Sequence, residues 1–209
     1  MKHLPINLDT FSFYSREVVD GKVLKNRCGR DFLYYALVYK RNSEYGKGKI
    51  EANQLEQNGD FGVSVPAWLA WIQIQFMRVH KYLKKKDLYL KINNHRIYSF
   101  FTFINTILFS RISFQDAILY VESNIDDGSV AGIDISIGFG GLLDHVMFVY
   151  GYDDKNLYVF ETTNTPINYT SISNEYPQVM QLPKAEIQRR WTRFGRVWEI
   201  KEFVRNIDV

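Results

Sequence analysis

The segment HVMFVYGYDDKNLYVFE, residues 145–161, decides the fold of this chain. Its first half, His145–Tyr152, is a strongly apolar run, which predicts a buried strand. Asp153-Asp154-Lys155-Asn156 is a tight-turn signal, and Leu157–Glu161 then predicts a returning strand. We therefore expect an antiparallel hairpin with the histidine at its open end and the glutamate on the opposite strand.

Helical spacing predominates before this hairpin, and strand patterns predominate around and after it. Helices are predicted at about 28–40, 64–83, 98–109 and 113–123, with a loop at 41–62 and a short strand at 88–92. Later in the chain, strands are predicted at 130–137 and 197–204, with a loop at about 162–178 and a short helix at 184–192. This segregated order predicts an α+β fold, not an alternating α/β sheet.

The length of 209 residues predicts a single domain, residues 1–209. Within it we expect a helical part at about 28–125 and a sheet part at about 129–204. The aromatic-rich segment 62–109 is interpreted as a helical insert that either covers a substrate or belongs to the core.

Composition excludes several classes of protein. Hydrophobic residues make up 46% and charged residues 23%, which is typical of a globular chain and not of a disordered one. The net charge of +3 is too small to argue for nucleic acid or acidic membranes as partners. No stretch predicts a membrane span or a signal peptide, and the single cysteine fits a reducing compartment, so we expect a cytoplasmic protein.

Cys28 is the first candidate for chemistry. It is expected to begin a helix, where the helix dipole and free N–H groups stabilise a thiolate, and Gly29 leaves room for a substrate carbonyl. The alternative is an ordinary buried small residue. A lone cysteine also excludes an intrachain disulfide and a multi-thiolate zinc site, and we expect no metal and no cofactor.

His145 and Glu161 are the second and third candidates. A histidine that opens an apolar strand can act as a base held at a pocket edge, or it can be a partly buried strand-end residue. If the turn is Asp153–Asn156, regular pairing sets Phe148 opposite Glu161, on the side of the sheet away from His145. A bulge or a two-residue slip would bring Glu161 level with the histidine.

Other residues compete with Glu161 for the role of orienting the imidazole. Asn164 becomes the third member if the returning strand is three residues longer, and Thr163 is a further fallback. Asp144 is next to His145 in sequence, but strand alternation should point it to the opposite side.

Taken together, an early helix-start cysteine, a later histidine on an apolar strand, and an acidic or amide residue on the next strand follow the order of a papain-like site. The chain resembles papain-like cysteine peptidases, and within them the bacterial branch of bacteriocin-leader (double-glycine) peptidases. The resemblance covers about residues 23–203 and is carried by Asn26-Arg27-Cys28-Gly29, by His145 with Gly151-Tyr152-Asp153-Asp154, by Glu161, and by Arg190-Trp191 before the closing strand.

This resemblance implies a helical half carrying Cys28 packed on an antiparallel sheet or half-barrel carrying His145 and Glu161. It implies cleavage of a peptide or amide substrate through a Cys28 thioester, with His145 as base and Glu161 as orienter. Relatives on this fold include acyltransferases, and a catalytically inactive binding module is the third alternative.

Three departures from the family pattern bear on that choice. Lys22 stands where the family has a glutamine of the oxyanion hole, so Asn26 is the substitute that we predict. Arg30 replaces the usual proline after Cys-Gly, and Glu161 replaces the usual aspartate or asparagine. Neither the identity of the substrate nor the oligomeric state follows from the sequence.

Overall fold

The computed structural model of the protein describes residues 1–11, 18–19, 22–23, 28–40, 83–84, 87–138, 143–161, 167, 169–192 and 195–202. These residues form helices and an antiparallel sheet, which confirms the predicted α+β class. The predicted helix at 64–83 and loop at 41–62 lie almost entirely outside the described residues. No helix in the described part of the chain is long and apolar enough to cross a membrane.

The helices with both ends described are α1 (Cys28–Lys40), α2 (Phe100–Phe109), α3 (Phe114–Asp126) and α4 (Lys184–Arg190). The strands before α2 are β1 (Lys2–His3), β2 (Val18–Val19), β3 (Lys22–Val23), β4 (Leu88–Ile92) and β5 (His95–Ile97). Those after α3 are β6 (Val130–Gly138), β7 (Leu143–Tyr152), β8 (Asn156–Phe160), β9 (Thr170–Ser171), β10 (Val179–Pro183) and β11 (Arg196–Glu202).

The main sheet has the strand order β5-β4-β11-β6-β7-β8-β10-β9, and every described pairing in it is antiparallel. Strand β1 pairs with the last two residues of β7, Gly151 and Tyr152, beyond the end of β6. Strands β2 and β3 form a separate pair. The hairpin β7–β8 therefore lies near the middle of the sheet, with partners on both sides.

Serine caps explain where two of the helices begin. The Ser99 side chain accepts from the backbone N–H of Thr102, so α2 starts at the next residue after the cap. The Ser113 side chain accepts from the backbone N–H of Asp116 in the same way, as the sequence predicts for α3. Helix α3 ends at Asp126, three residues further than expected, and Gly128 shortly after it has a φ of 65°, which suits glycine.

Helix α1 packs against one face of the sheet. Phe32 contacts the rings of Phe148 and Trp198, and Tyr35 contacts Phe148 and Phe160. Helix α3 lies against the other face, because Glu199, the neighbour of Trp198 on β11, accepts a hydrogen bond from Tyr120 on α3. Since the sheet is covered on both sides, its central strands are buried on both faces.

Strands β9 and β10 are not predicted by the sequence patterns. Only Val179 and Leu182 are buried in β10, and a spacing of three does not alternate as an amphipathic strand should. This segment is a strand because it pairs along the whole of β8. The segment 62–109 is interpreted from the sequence as a helical insert, but its described part also contains β4 and β5. These two strands join the sheet through β11.

We expect Gly132→Ala to destabilise the protein. A Cβ at Gly132 would lie 2.5 Å from Cε2 of Phe32, whose side chain is only 1% exposed and has no room to move. Overpacking of this kind costs about 1–3 kcal/mol of the free energy of unfolding, measurable by urea denaturation. Phe32→Leu should recover part of that loss in the double variant, and a Gly132→Ala variant as stable as the wild type would contradict the packing described.

Candidate active site

Cys28 is the first residue of α1 and lies at the edge of the core. Its side chain is partly exposed and packs against buried residues, and its thiol is free. The predicted position at a helix start is thus observed, and the first N–H groups of α1 have no partners within the helix. The sulfur lies where the helix dipole favours negative charge.

His145 and Glu161 form a buried pair at the end of the hairpin β7–β8. Nε2 of His145 lies 2.6 Å from Oε2 of Glu161, and the two residues are 4% and 5% exposed. The backbone N–H of Glu161 donates to the carbonyl of Gln178 at 2.9 Å, which ties the glutamate to the residue before β10. The distance of 2.6 Å between the imidazole nitrogen and the carboxylate oxygen is short enough for a strong, charge-assisted hydrogen bond.

Cys28 also acts on the His145 side chain, because hydrogen bonding to the sulfur and its charge both raise the pKa of the imidazole. Because Nε2 faces Glu161, the other ring nitrogen, Nδ1, is the one available to the sulfur. One imidazole thus connects a thiol from the helix with a carboxylate from the next strand.

The charge state of His145 follows from these contacts. Burial disfavours the imidazolium and by itself lowers the pKa, but the hydrogen bonds to Cys28 and Glu161 and the charges of those groups outweigh it. Together they raise the pKa of His145 from 6.5 to about 10. At neutral pH the ring is therefore an imidazolium, protonated at both nitrogens, and the proton on Nε2 is directed at Glu161.

A β-bulge brings Glu161 within reach of His145. Val149 pairs with Val159 and Gly151 pairs with Tyr158, so Tyr150 is an extra residue on β7. Beyond it, Phe148 pairs with Phe160 and not with Glu161, which corrects the regular pairing predicted from the turn. Continued by one residue, this register sets Glu161 level with Met147, on the same side of the strand as His145.

The strand β7 begins two residues earlier than predicted, so His145 is its third residue and not its first. It pairs with Ile135 on β6, inside the sheet. His145 is therefore flanked by β6 on one side and, on the other, by Glu161, which follows directly after β8.

Asp134 is a buried acidic residue near the site that the sequence analysis missed. It pairs with Val146, the neighbour of His145, and is 4% exposed. Its Oδ2 accepts from Nε1 of Trp198 at 3.1 Å and lies 3.6 Å from Nη1 of Arg196. Burial raises the pKa of Asp134, while the positive charges of Arg196 and His145 oppose that rise. The signal for it is a single carboxylate in an otherwise uncharged run, VAGIDISIG.

The remaining predicted site residues are not brought to this cluster by any described contact. Asn26, the predicted oxyanion donor, and Asn164 and Thr163, the rivals of Glu161, lie outside the described residues. Asp144 belongs to β7, where its backbone pairs with Ser136. Glu161 is the candidate for orienting the imidazole that a described contact joins to it.

In the described ranges, no group of three or more His, Cys, Asp or Glu side chains is arranged to hold a metal ion.

Models of known protein families and curated proteins were both compared with the chain, and neither comparison gave a match. The chemistry of the site is therefore argued from its own geometry.

Glu161→Gln should lower the pKa of His145, because the hydrogen bond would lose its negative acceptor. A raised pKa in the folded state stabilises the fold below 6.5, the ordinary value, and this stabilisation disappears as the pH rises through about 10. The difference in the free energy of unfolding between wild type and variant should therefore shrink as the pH rises over that range. Ring chemical shifts of His145 measured by NMR against pH give the pKa directly.

The matched control is Glu122→Gln, which removes a partly exposed carboxylate paired with Lys184, remote from His145. It should leave the titration of His145 unchanged. If Glu161→Gln also leaves it unchanged, the pair does not set the charge of the ring.

Proposed function

We propose that this chain is a thiol-dependent acyl-transfer enzyme with a papain-like fold and site, a cysteine peptidase or amidase. The observation that carries the proposal is that one buried imidazole is hydrogen-bonded to Glu161 at 2.6 Å and has its pKa raised by Cys28 as well. A nucleophile, a base and a group that orients the base are what thioester chemistry requires. The resemblance noted in the sequence supports the same conclusion.

In the first step, His145 holds the proton taken from the Cys28 thiol, and the resulting thiolate attacks the carbonyl carbon of a peptide or amide. A C–S bond forms, and negative charge moves to the carbonyl oxygen, which the N–H of Cys28 at the start of α1 would stabilise. Asn26 is the second donor that we predict. Protonated His145 then donates its proton to the nitrogen of the leaving amine, and the C–N bond breaks.

In the second step, water attacks the thioester. His145, now neutral, takes a proton from that water, the C–S bond breaks, and the acid is released with Cys28 restored. Glu161 keeps the ring in one orientation and stabilises the imidazolium at the start and end of each cycle. If an amine takes the place of water, the same intermediate gives an acyltransferase.

The hydrogen bond between His145 and Glu161 also bears on the glutamate at position 161, where the papain-like family usually has aspartate or asparagine. A glutamate is one methylene longer than an aspartate, and here it reaches Nε2 of His145 at 2.6 Å. The longer side chain therefore does not by itself argue for an inactive protein.

The test is alkylation of Cys28 by iodoacetamide, followed by intact mass against pH. We expect the wild type to react at about pH 6 at least about tenfold faster than His145→Ala, because protonated His145 favours the thiolate beside it. Cys28→Ala should not be labelled, and His95→Ala, which changes an exposed histidine, should react like the wild type. Equal rates in the wild type and His145→Ala would overturn the proposal.

Turnover separates an enzyme from a binding module on this fold. A library of peptide amides, analysed by mass spectrometry, should yield products with the wild type and none with Cys28→Ala. Added hydroxylamine would be acylated from a thioester, which distinguishes covalent catalysis from direct hydrolysis. Labelling of Cys28 with no product from any amide or ester would indicate a module that binds without turnover.

A further inference from the structure

We propose that Tyr150, held in place by the N-terminal strand β1, is a positioning residue for Glu161. This inference rests on the proposed function, because it concerns the residue that orients His145. It makes β1, which precedes Cys28 by more than twenty residues in sequence, part of the machinery of the site.

The bulge at Tyr150 sets the side of the sheet to which Glu161 projects. Without Tyr150 as an extra residue, Glu161 would be level with Phe148 and would project away from His145. An extra residue interrupts the regular hydrogen bonds of a hairpin, so something must favour the bulged state over regular pairing. The structure offers two such contacts, one to the backbone of Tyr150 and one to its ring.

The backbone contact comes from the chain segment at β1. The N–H of Leu4 donates to the carbonyl of Tyr150 at 2.9 Å, and His3 pairs with Gly151. Gly151 permits this approach, because a Cβ there would lie 2.5 Å from the carbonyl oxygen of Lys2. Strand β1 thus binds β7 directly at and beside the bulge.

The ring contact is a column of four stacked aromatic side chains. His3 stacks on Tyr150 with ring centroids 5.2 Å apart, Tyr150 on Phe160 at 5.3 Å, and Phe160 on Phe148 at 5.2 Å. The planes of successive rings differ by only 17–23°. Such stacking adds to the burial of each ring and is lost if the strands shift by one residue.

The column ends beside the site. Phe160 is the residue directly before Glu161, and its stacking on both Tyr150 and Phe148 fixes the bulged register at the end of β8. Tyr150 does not touch the reacting groups. It acts through Phe160 on Glu161, and through Glu161 on the imidazole.

The experiment compares Tyr150→Ala with Tyr150→Phe, which retains the ring, and with Leu182→Ala as a control. Leu182 is fully buried on β10 and pairs with Leu157, far along β8 from Glu161, so its loss destabilises the sheet without touching the column. Two readouts are used on each full-length variant: the pKa of His145 by NMR, and the rate of Cys28 alkylation at about pH 6.

Tyr150→Ala should lower the pKa of His145 and slow alkylation by about 10- to 100-fold, since small displacements of a catalytic group have effects of that size. Tyr150→Phe, which retains the ring, should leave the pKa of His145 close to the wild-type value and the alkylation rate within about twofold of the wild-type rate. Leu182→Ala should lower the melting temperature and change neither readout. If Tyr150→Ala lowers only the melting temperature, as Leu182→Ala does, Tyr150 is a core residue alone and the inference fails.

Gly151→Ala provides a second route to the same test if Tyr150→Ala does not fold. It keeps all four rings but overlaps the carbonyl of Lys2, so it should displace β1 and change both readouts in the same direction. The titration of His145 requires no activity. A shifted titration in a protein whose Cys28 is never reactive would therefore support the positioning role while overturning the proposed function.

Discussion

The buried hydrogen bond between His145 and Glu161 is the interaction on which the site depends. A carboxylate and an imidazole that are both about 95% hidden from water must be paired, because an isolated buried charge costs several kcal/mol. Here each supplies the partner of the other at 2.6 Å. The pairing is possible only in one register of the hairpin, so the bulge at Tyr150 and the charge state of the imidazole are consequences of the same constraint.

The third member reaches this pair because of how α1 lies on the sheet. Phe32 occupies the space over Gly132, where any side chain would collide with it, so the helix approaches the strands closely. That contact is on the second turn of α1 and fixes the helix relative to β6 and β7. The position of Cys28 beside His145 therefore follows from hydrophobic packing several residues away from the sulfur.

Other buried charges in the sheet are also paired across strands. Glu199 on β11 is 1% exposed and is neutralised by Lys91 on β4 and Lys201 on its own strand, with Tyr120 donating from α3. Asp134 is paired with Arg196 on the opposite face. Of these groups, Asp134 lies on β6, the strand beside β7, while Lys91, Glu199, Lys201 and Arg196 lie on β4 and β11. The charge of His145 therefore acts on Asp134 and opposes the rise in its pKa.

Local pattern was sufficient for the elements that carry the site. The helices at Cys28–Lys40 and Phe114–Asp126, the turn at Asp153–Asn156 and the strands on either side of it follow from periodicity and turn chemistry. Cys28, His145 and Glu161 were candidates for the same reason, since each stands at a predicted helix start or strand end. Their role in catalysis remains a proposal.

The register of the hairpin does not follow from local pattern. A turn sequence sets where a hairpin begins, and regular pairing from that turn predicts that Glu161 faces away from His145. The bulge at Tyr150 reverses that result, and it is stabilised by stacked rings of β7 and β8 and by β1, which is distant from them in sequence. Strand β10 has the same origin, because its pairing with β8 overrides a weak local pattern. Which residues could react, and on which elements they lie, can be predicted from the amino-acid sequence, because both depend on neighbours along the chain. Which of them meet depended on long-range packing, because a shift of one residue in a strand moves every side chain to the other face.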